Sequence, residues 1–197
     1  MLTQSKLEKS LDRGSMIFIA LKYNEAPIRG AEIGVLEGVH STNLLSSLNN
    51  LEHIYLIDPY EDLYLVTPSE EFKDKDFSGV LKLKANAKNL LSQFGTRKTW
   101  IQKRFGDCTK NDIKEDLDFI YIDGDHSYEG VKIDLEQAHK FVKPDGVLCG
   151  HDFQMEGVEN AVREYCKTNN YLLETWGGEW WFINTPMQNA SLKMFSK

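Results

Sequence analysis

The chain has 197 residues, of which 41% are hydrophobic and 27% charged, the balance of a folded globular protein rather than a disordered or fibrous one. That length supports one domain with a sizeable core, so residues 1–197 read as a single domain. The formal net charge of -7 lacks the concentrated basic surface that a phosphate backbone demands, and the most apolar N-terminal stretch, residues 16–21, is far too short to span a bilayer. Neither nucleic acid nor a membrane is expected as a partner. Cys108, Cys149 and Cys166 are odd in number and form no C-x-x-C pair, which argues against a disulfide framework or a zinc knuckle. With no export signal visible, a cytoplasmic location is expected.

In chain order, residues 1–26 read as a helical cap, amphipathic and set to cover a sheet edge or line a site. Apolar runs of strand length follow at residues 30–35, 53–57, 99–102, 118–122 and 146–149, with helix-like segments between most of them. Ser41 precedes one such segment, Ser78 another over residues 80–94, and a third spans 128–141 with Val131, Leu135, Ala138 and Phe141 at helical spacing. Strands alternating with helices predict a parallel sheet. Pro144-Asp145-Gly146 predicts a turn into the fifth strand. After a helix over 157–167, the runs 171–175 and 179–183 flank Gly177-Gly178 and predict an antiparallel hairpin. The charged residues 60–78 read as an excursion long enough to serve as a lid.

In an open parallel sheet, ligands gather at the carboxyl ends of the strands. The first such end reads Glu32-Ile33-Gly34-Val35-Leu36-Glu37-Gly38, followed by helix-starting residues around His40 and Ser41. Glycines allow close backbone approach, and a helix beginning there directs N–H groups at the turn. The spacing is G-x-x-x-G, not the G-x-G-x-x-G of a dinucleotide site, and Glu32 is an extra carboxylate on the strand. A cationic ligand matches that charge better than a pyrophosphate. Asp58, before Pro59, closes the second strand where a carboxylate can accept ribose hydroxyls. Gly106-Asp107-Cys108 follows the third. The set suggests an adenosine that carries a sulfonium rather than phosphates.

From about residue 30 to residue 153 the chain resembles the class I S-adenosylmethionine-dependent methyltransferases. The run "DFIYIDGDHSYEGVKIDLEQAHKFVKPDGVLCGHDF" is similar to the small O-methyltransferase-like family, the family 24 type, found among sugar and natural-product modifying enzymes. The resemblance implies a Rossmann-like α/β fold: a seven-stranded, mostly parallel sheet in the order 3-2-1-4-5-7-6, helices on both faces and a C-terminal antiparallel hairpin. It implies that residues 32–38, with Gly34, Val35, Gly38 and nearby Ser41, cradle the methionine part of S-adenosyl-L-methionine. Asp58 and Pro59 then lie at the ribose, and Asp107 with Cys108 beside the adenine.

The fourth strand ends in Asp123-Gly124-Asp125-His126 and the fifth in His151-Asp152. If these strands are neighbours, as the family order implies, their ends lie about 5 Å apart. Asp123, His151 and Asp152 can then hold a divalent metal, magnesium, manganese or similar, that activates an acceptor hydroxyl. Related enzymes carry an acid where this chain has His151, which shifts preference toward manganese, iron or zinc. The metal-free alternative makes His151 or His126 the general base, with Asp123 beside it at the cofactor. Glu129 is a candidate outer partner of this cluster, whereas His40, His53 and His139 read as surface or packing residues. Trp176, Trp180 and Trp181 stack on an acceptor or pack in the core. The expected activity is O-methylation of a hydroxyl on a small molecule or sugar. Its rivals are a nucleotide-dependent oxidoreductase and a non-catalytic cofactor-binding protein of the same fold. A homo-oligomer is left open.

Overall fold

The structure is a computed structural model that describes residues 13–60 and 77–187. Its elements are α1 (Gly14–Tyr23), β1 (Ile28–Ile33), α2 (Val39–Ser47), β2 (Leu51–Ile57), α3 (Phe77–Leu91), β3 (Lys98–Ile101), β4 (Leu117–Ile122), α4 (Tyr128–Ala138), β5 (Val142–Gly150), α5 (Glu156–Asn169), β6 (Glu174–Trp176) and β7 (Glu179–Ile183). The strands form one sheet in the order β3-β2-β1-β4-β5-β7-β6. β1 to β5 are parallel, and β7 runs antiparallel to both β5 and β6.

The central strands are buried on both faces, so their side chains divide by alternation between two cores. Phe119 and Tyr121 of β4 point into one, with Met16 and Ile19 of α1, Leu44 and Leu45 of α2 and Ala87 of α3. Ile120 and Ile122 point into the other, with Val131 and Leu135 of α4 and Val158 and Val162 of α5. Burial of each such side chain contributes about 1.5–3 kcal/mol. The sheet is thus fixed from both sides, and its carboxyl edge is a rigid platform.

Several boundaries differ from the sequence reading for local reasons. β1 stops at Ile33 because Gly34 adopts φ +84°, and a Cβ there would collide with the carbonyl of Asp123. Pro144-Asp145-Gly146 does not precede β5 but lies within it as a bulge. The pairing jumps from Leu117 opposite Val142 to Phe119 opposite Val147, and Asp145 takes φ +65°. β6 is shorter than expected because the Tyr171 N–H is bonded to the Cys166 carbonyl at the end of α5. The hairpin turn has positive φ at both Gly177 and Gly178, the geometry of a type I′ turn.

α1 lies across a sheet face against β5 and β7 rather than over an edge. The Tyr23 hydroxyl at its end donates to the Asp118 carbonyl at 2.6 Å, while its first turn sits at the carboxyl ends of the strands. Most of the 60–78 excursion, and residues 1–12 of the cap, lie outside the described residues. Among the described residues, no helix is long and apolar enough to cross a membrane.

Candidate active site at the carboxyl ends of the strands

The turn after β1 is held by its neighbours. Gly34 N–H donates to the Ile57 carbonyl at 2.9 Å and Asp123 N–H to the Ile33 carbonyl at 2.8 Å, tying the ends of β2, β1 and β4 together. Asp58, 1% exposed, accepts on Oδ2 from the N–H groups of Val35 (2.9 Å) and Leu36 (3.0 Å) and on Oδ1 from Tyr60 N–H (2.8 Å). Both carboxylate oxygens thus hold backbone N–H groups, so Asp58 fastens the turn after β1 as well as closing β2. Tyr60 hydroxyl donates to the Leu36 carbonyl at 2.9 Å and closes the turn. Pro59 adjoins β3 through its carbonyl, which accepts from Gln102 at 3.2 Å.

Glu32 is buried on β1, where it accepts the Ser41 hydroxyl and faces His40 Nδ1 at 3.2 Å. Ser41 thus turns inward instead of capping α2; Gly38, in the left-handed region at φ 76°, starts that helix with no side-chain cap. At the end of β3, Asp107 is exposed, while Cys108 is buried with its thiol pushed up to about 11 by burial.

β4 and β5 bring Asp123, His126 and Asp152 together, with one ligand atom from each inside a span of 4.8 Å. His126 Nε2 lies 2.9 Å from Asp152 Oδ2 and 3.7 Å from Asp123 Oδ1, yet it is buried with no aligned hydrogen bond. Asp123 and Asp152 together push the imidazole up to about 10. Asp152, in the left-handed region at φ 56°, also meets His151 Nδ1 at 3.1 Å and Gln154 Nε2 at 2.9 Å. The two imidazoles hold its carboxyl well below the usual range, and Asp152 in turn raises His151. His151 therefore borders the cluster through Asp152, and it is His126 that faces both carboxylates. Asp125 accepts from Ser127 N–H at 2.8 Å and Ser127 caps α4. Glu129 is exposed, and no contact ties it to the cluster among the described residues.

A buried polar network beside this cluster escaped the sequence reading. Glu179, 2% exposed at the start of β7, accepts from Tyr121 hydroxyl (2.5 Å), Arg13 Nη1 (3.3 Å), Ser15 N–H (3.1 Å) and the Ser15 hydroxyl. It caps the first turn of α1 from another element. Arg13 Nη1 also bonds Tyr121 and lies 3.8 Å from Asp123 Oδ2. The signal was present: Glu179 is a lone acid in the apolar "EWWFI", and Arg13 precedes a helix-starting serine. Of the three hairpin tryptophans, Trp180 and Trp181 are core residues and Trp176 is exposed.

A sheet in this order, with its glycine turn after the first strand and an acid closing the second, defines the class I methyltransferase architecture. A family profile described as a methyltransferase domain matches residues 31–153, and the chain belongs to that family, the S-adenosylmethionine-dependent methyltransferases. That membership removes the oxidoreductase alternative. Among solved structures it is similar to CalS11, described as a TDP-rhamnose 3'-O-methyltransferase of calicheamicin biosynthesis, at 15% identity and TM-score 0.59, covering 92% of this chain and 81% of that one. It is also similar to the N-methyltransferase NodS from Bradyrhizobium japonicum WM9, at 14% and 0.56, covering 93% and 99%. An rRNA methylase from Streptococcus thermophilus matches at 12% and 0.56, covering 88% and 96%. No curated protein sequence matches the chain. At such identities the likeness shows the fold alone, and those three proteins differ in acceptor.

Proposed function

We propose that this methyltransferase acts on a hydroxyl of a small molecule or sugar, with a divalent cation held by Asp123, His126 and Asp152. The observation that carries the reading is the convergence of two carboxylates and one imidazole at adjoining strand ends. Their oxygen and nitrogen donors suit magnesium, manganese or iron, and His126 Nε2 is a buried atom lacking an aligned partner. His151, in contact with Asp152, is the alternative third ligand. When bound, S-adenosylmethionine supplies an electrophilic methyl on sulfur, and a divalent cation lowers the pKa of the acceptor hydroxyl.

The chain's own residues supply position and charge. The turn over residues 34–38, locked by Asp58, would seat the sulfonium end of the cofactor, with Val35 in the turn and Ser41, buried against Glu32, supporting it from behind. Asp58 and Pro59 lie at the ribose, and Asp107 and Cys108 border the adenine. In-line displacement needs alignment and exclusion of water more than further chemistry. With Asp123 and Asp152 holding its imidazole up to about 10, His126 retains its proton at neutral pH. A cation bound by this imidazole would take the place of that proton. The net charge of -7 opposes RNA as acceptor, and the sugar acceptor named for CalS11 is the kind of hydroxyl this reading expects.

The test is formation of S-adenosylhomocysteine with a panel of hydroxyl and amine acceptors, with manganese or with chelator. Turnover should require the metal and be lost in Asp152→Ala, with cofactor affinity within about twofold of wild type. Chelator-indifferent turnover would contradict the cation, and turnover confined to amines would contradict the hydroxyl acceptor.

A further inference from the structure

β6 is antiparallel to β7, which is antiparallel to β5, so Trp176 at the end of β6 stands at the same edge of the sheet as His151 and Asp152 after β5. Trp180 and Trp181 of the same hairpin are core residues, but Trp176 is 57% exposed, and among the described residues no ring or cation stacks on it. Its position is nevertheless fixed. A Cβ on Gly14 would lie 2.9 Å from Trp176 Cε3 and 3.0 Å from Trp181 Cζ3, so the bare backbone at the start of α1 presses against one side of the indole. The turn beside it is tied to the loop after β5: Phe153 N–H donates to the Gly178 carbonyl at 2.9 Å and Trp180 Nε1–H to the His151 carbonyl at 3.2 Å. A large aromatic that is held in place yet left in water contributes little burial to the fold and is pre-organised for a ligand.

The surroundings select a sugar over a flat aromatic acceptor. Opposite Trp176 on β7 is Glu179, which pairs with Arg13. On the side of β5 lies Gln154, whose amide sits against Gly178 and donates to Asp152 Oδ1. An apolar face with polar groups around it matches a pyranose, which has a face of C–H groups and a rim of hydroxyls. The position also sets a length. Neighbouring strands lie about 4.8 Å apart and β7 stands between β5 and β6, so the end of β6 is about 10 Å from that of β5. The end of β4, which carries Asp123, is one strand farther. That span exceeds a single sugar ring. We propose that Trp176 is the stacking platform of the acceptor, and that the acceptor is a glycoside of two or more rings: one lies on the indole while a hydroxyl of the next reaches Asp123 and Asp152. This rests on the hydroxyl-acceptor reading and adds the length of the substrate to it.

The test is kinetic, with S-adenosylmethionine and manganese present, on methyl pyranosides of the gluco, galacto, manno and rhamno series and on the methyl disaccharides built from them. Wild type should show a KM at least about tenfold lower for its best disaccharide than for its best monosaccharide. Trp176→Ala should erase that difference, chiefly by raising the disaccharide KM, with kcat changed less than about threefold. Trp176→Tyr, which keeps an aromatic face, should recover part of it. Calorimetry with S-adenosylhomocysteine, unchanged within about twofold, checks that both variants are folded; if either loses that binding, the wild-type dependence on length decides. A wild-type KM that ignores length, or a disaccharide preference that survives Trp176→Ala, overturns the proposal. So does an altered elution volume in Trp176→Ala with equal loss on all sugars, which would make Trp176 a subunit contact. Turnover of other hydroxyl acceptors but of no sugar overturns it as well, whereas no turnover of any hydroxyl acceptor sinks the proposed function instead.

Discussion

Glu32, Asp58 and Glu179 are buried carboxylates whose oxygens meet N–H and O–H donors. Asp134 is buried on α4 without such a partner among the described residues, and burial pushes it up to about 7 from 3.8, with Asp125 adding to the shift. A carboxyl raised on folding stabilises the folded chain only while it stays protonated, so stability is lost as pH rises from about 4 through about 7. Asp134→Asn removes that loss. Its advantage over wild type in chemical denaturation should grow by on the order of 2–3 kcal/mol between pH 5 and pH 8; a difference that stays flat with pH contradicts the assignment. At this scale the sequence is an uneven guide. Asp123 and Asp152 are legible because they end apolar strands. The inward turn of His40, and the choice of His126 over His151 as the imidazole facing both carboxylates, depend on ring directions that spacing does not encode.

Elements are legible in the sequence where hydrophobic patterning decides them and obscure where backbone dihedrals do. The five parallel strands follow from buried apolar runs, and the hairpin from paired glycines that accept positive φ. The bulge in β5 is hidden because a Pro-Asp-Gly run reads as a turn, whereas the pairing with β4 resumes past it. Of the two seats the sequence allows α1, a sheet edge or the wall of a site, the structure shows its first turn at the strand ends, anchored by Glu179, a single acid far away in sequence. Glu179→Ala should leave Tyr121, Ser15 and Arg13 without their common acceptor, at a cost of about 3–5 kcal/mol. Amides of α1 should then exchange with solvent ahead of those of β4 and β5; unchanged protection in α1 would show that its apolar face alone holds it.

For the whole molecule, strand order came from likeness to a family rather than from spacing, because nothing local in a strand names its neighbours. Once that order is set, the proposed function assigns the ends of β1 and β2 to the cofactor and the ends of β4 and β5 to the methyl acceptor, and the structure packs the first turn of α1 beside the latter through Arg13 and Glu179. The proposed chemistry requires an adenosyl cofactor seated at the first glycine turn. Its most direct test is titration of wild type and Asp58→Ala with S-adenosylhomocysteine and with NADH. Saturable heat with S-adenosylhomocysteine alone, weakened more than about tenfold by Asp58→Ala, is the predicted result; heat with NADH, or affinity untouched by the substitution, would contradict it.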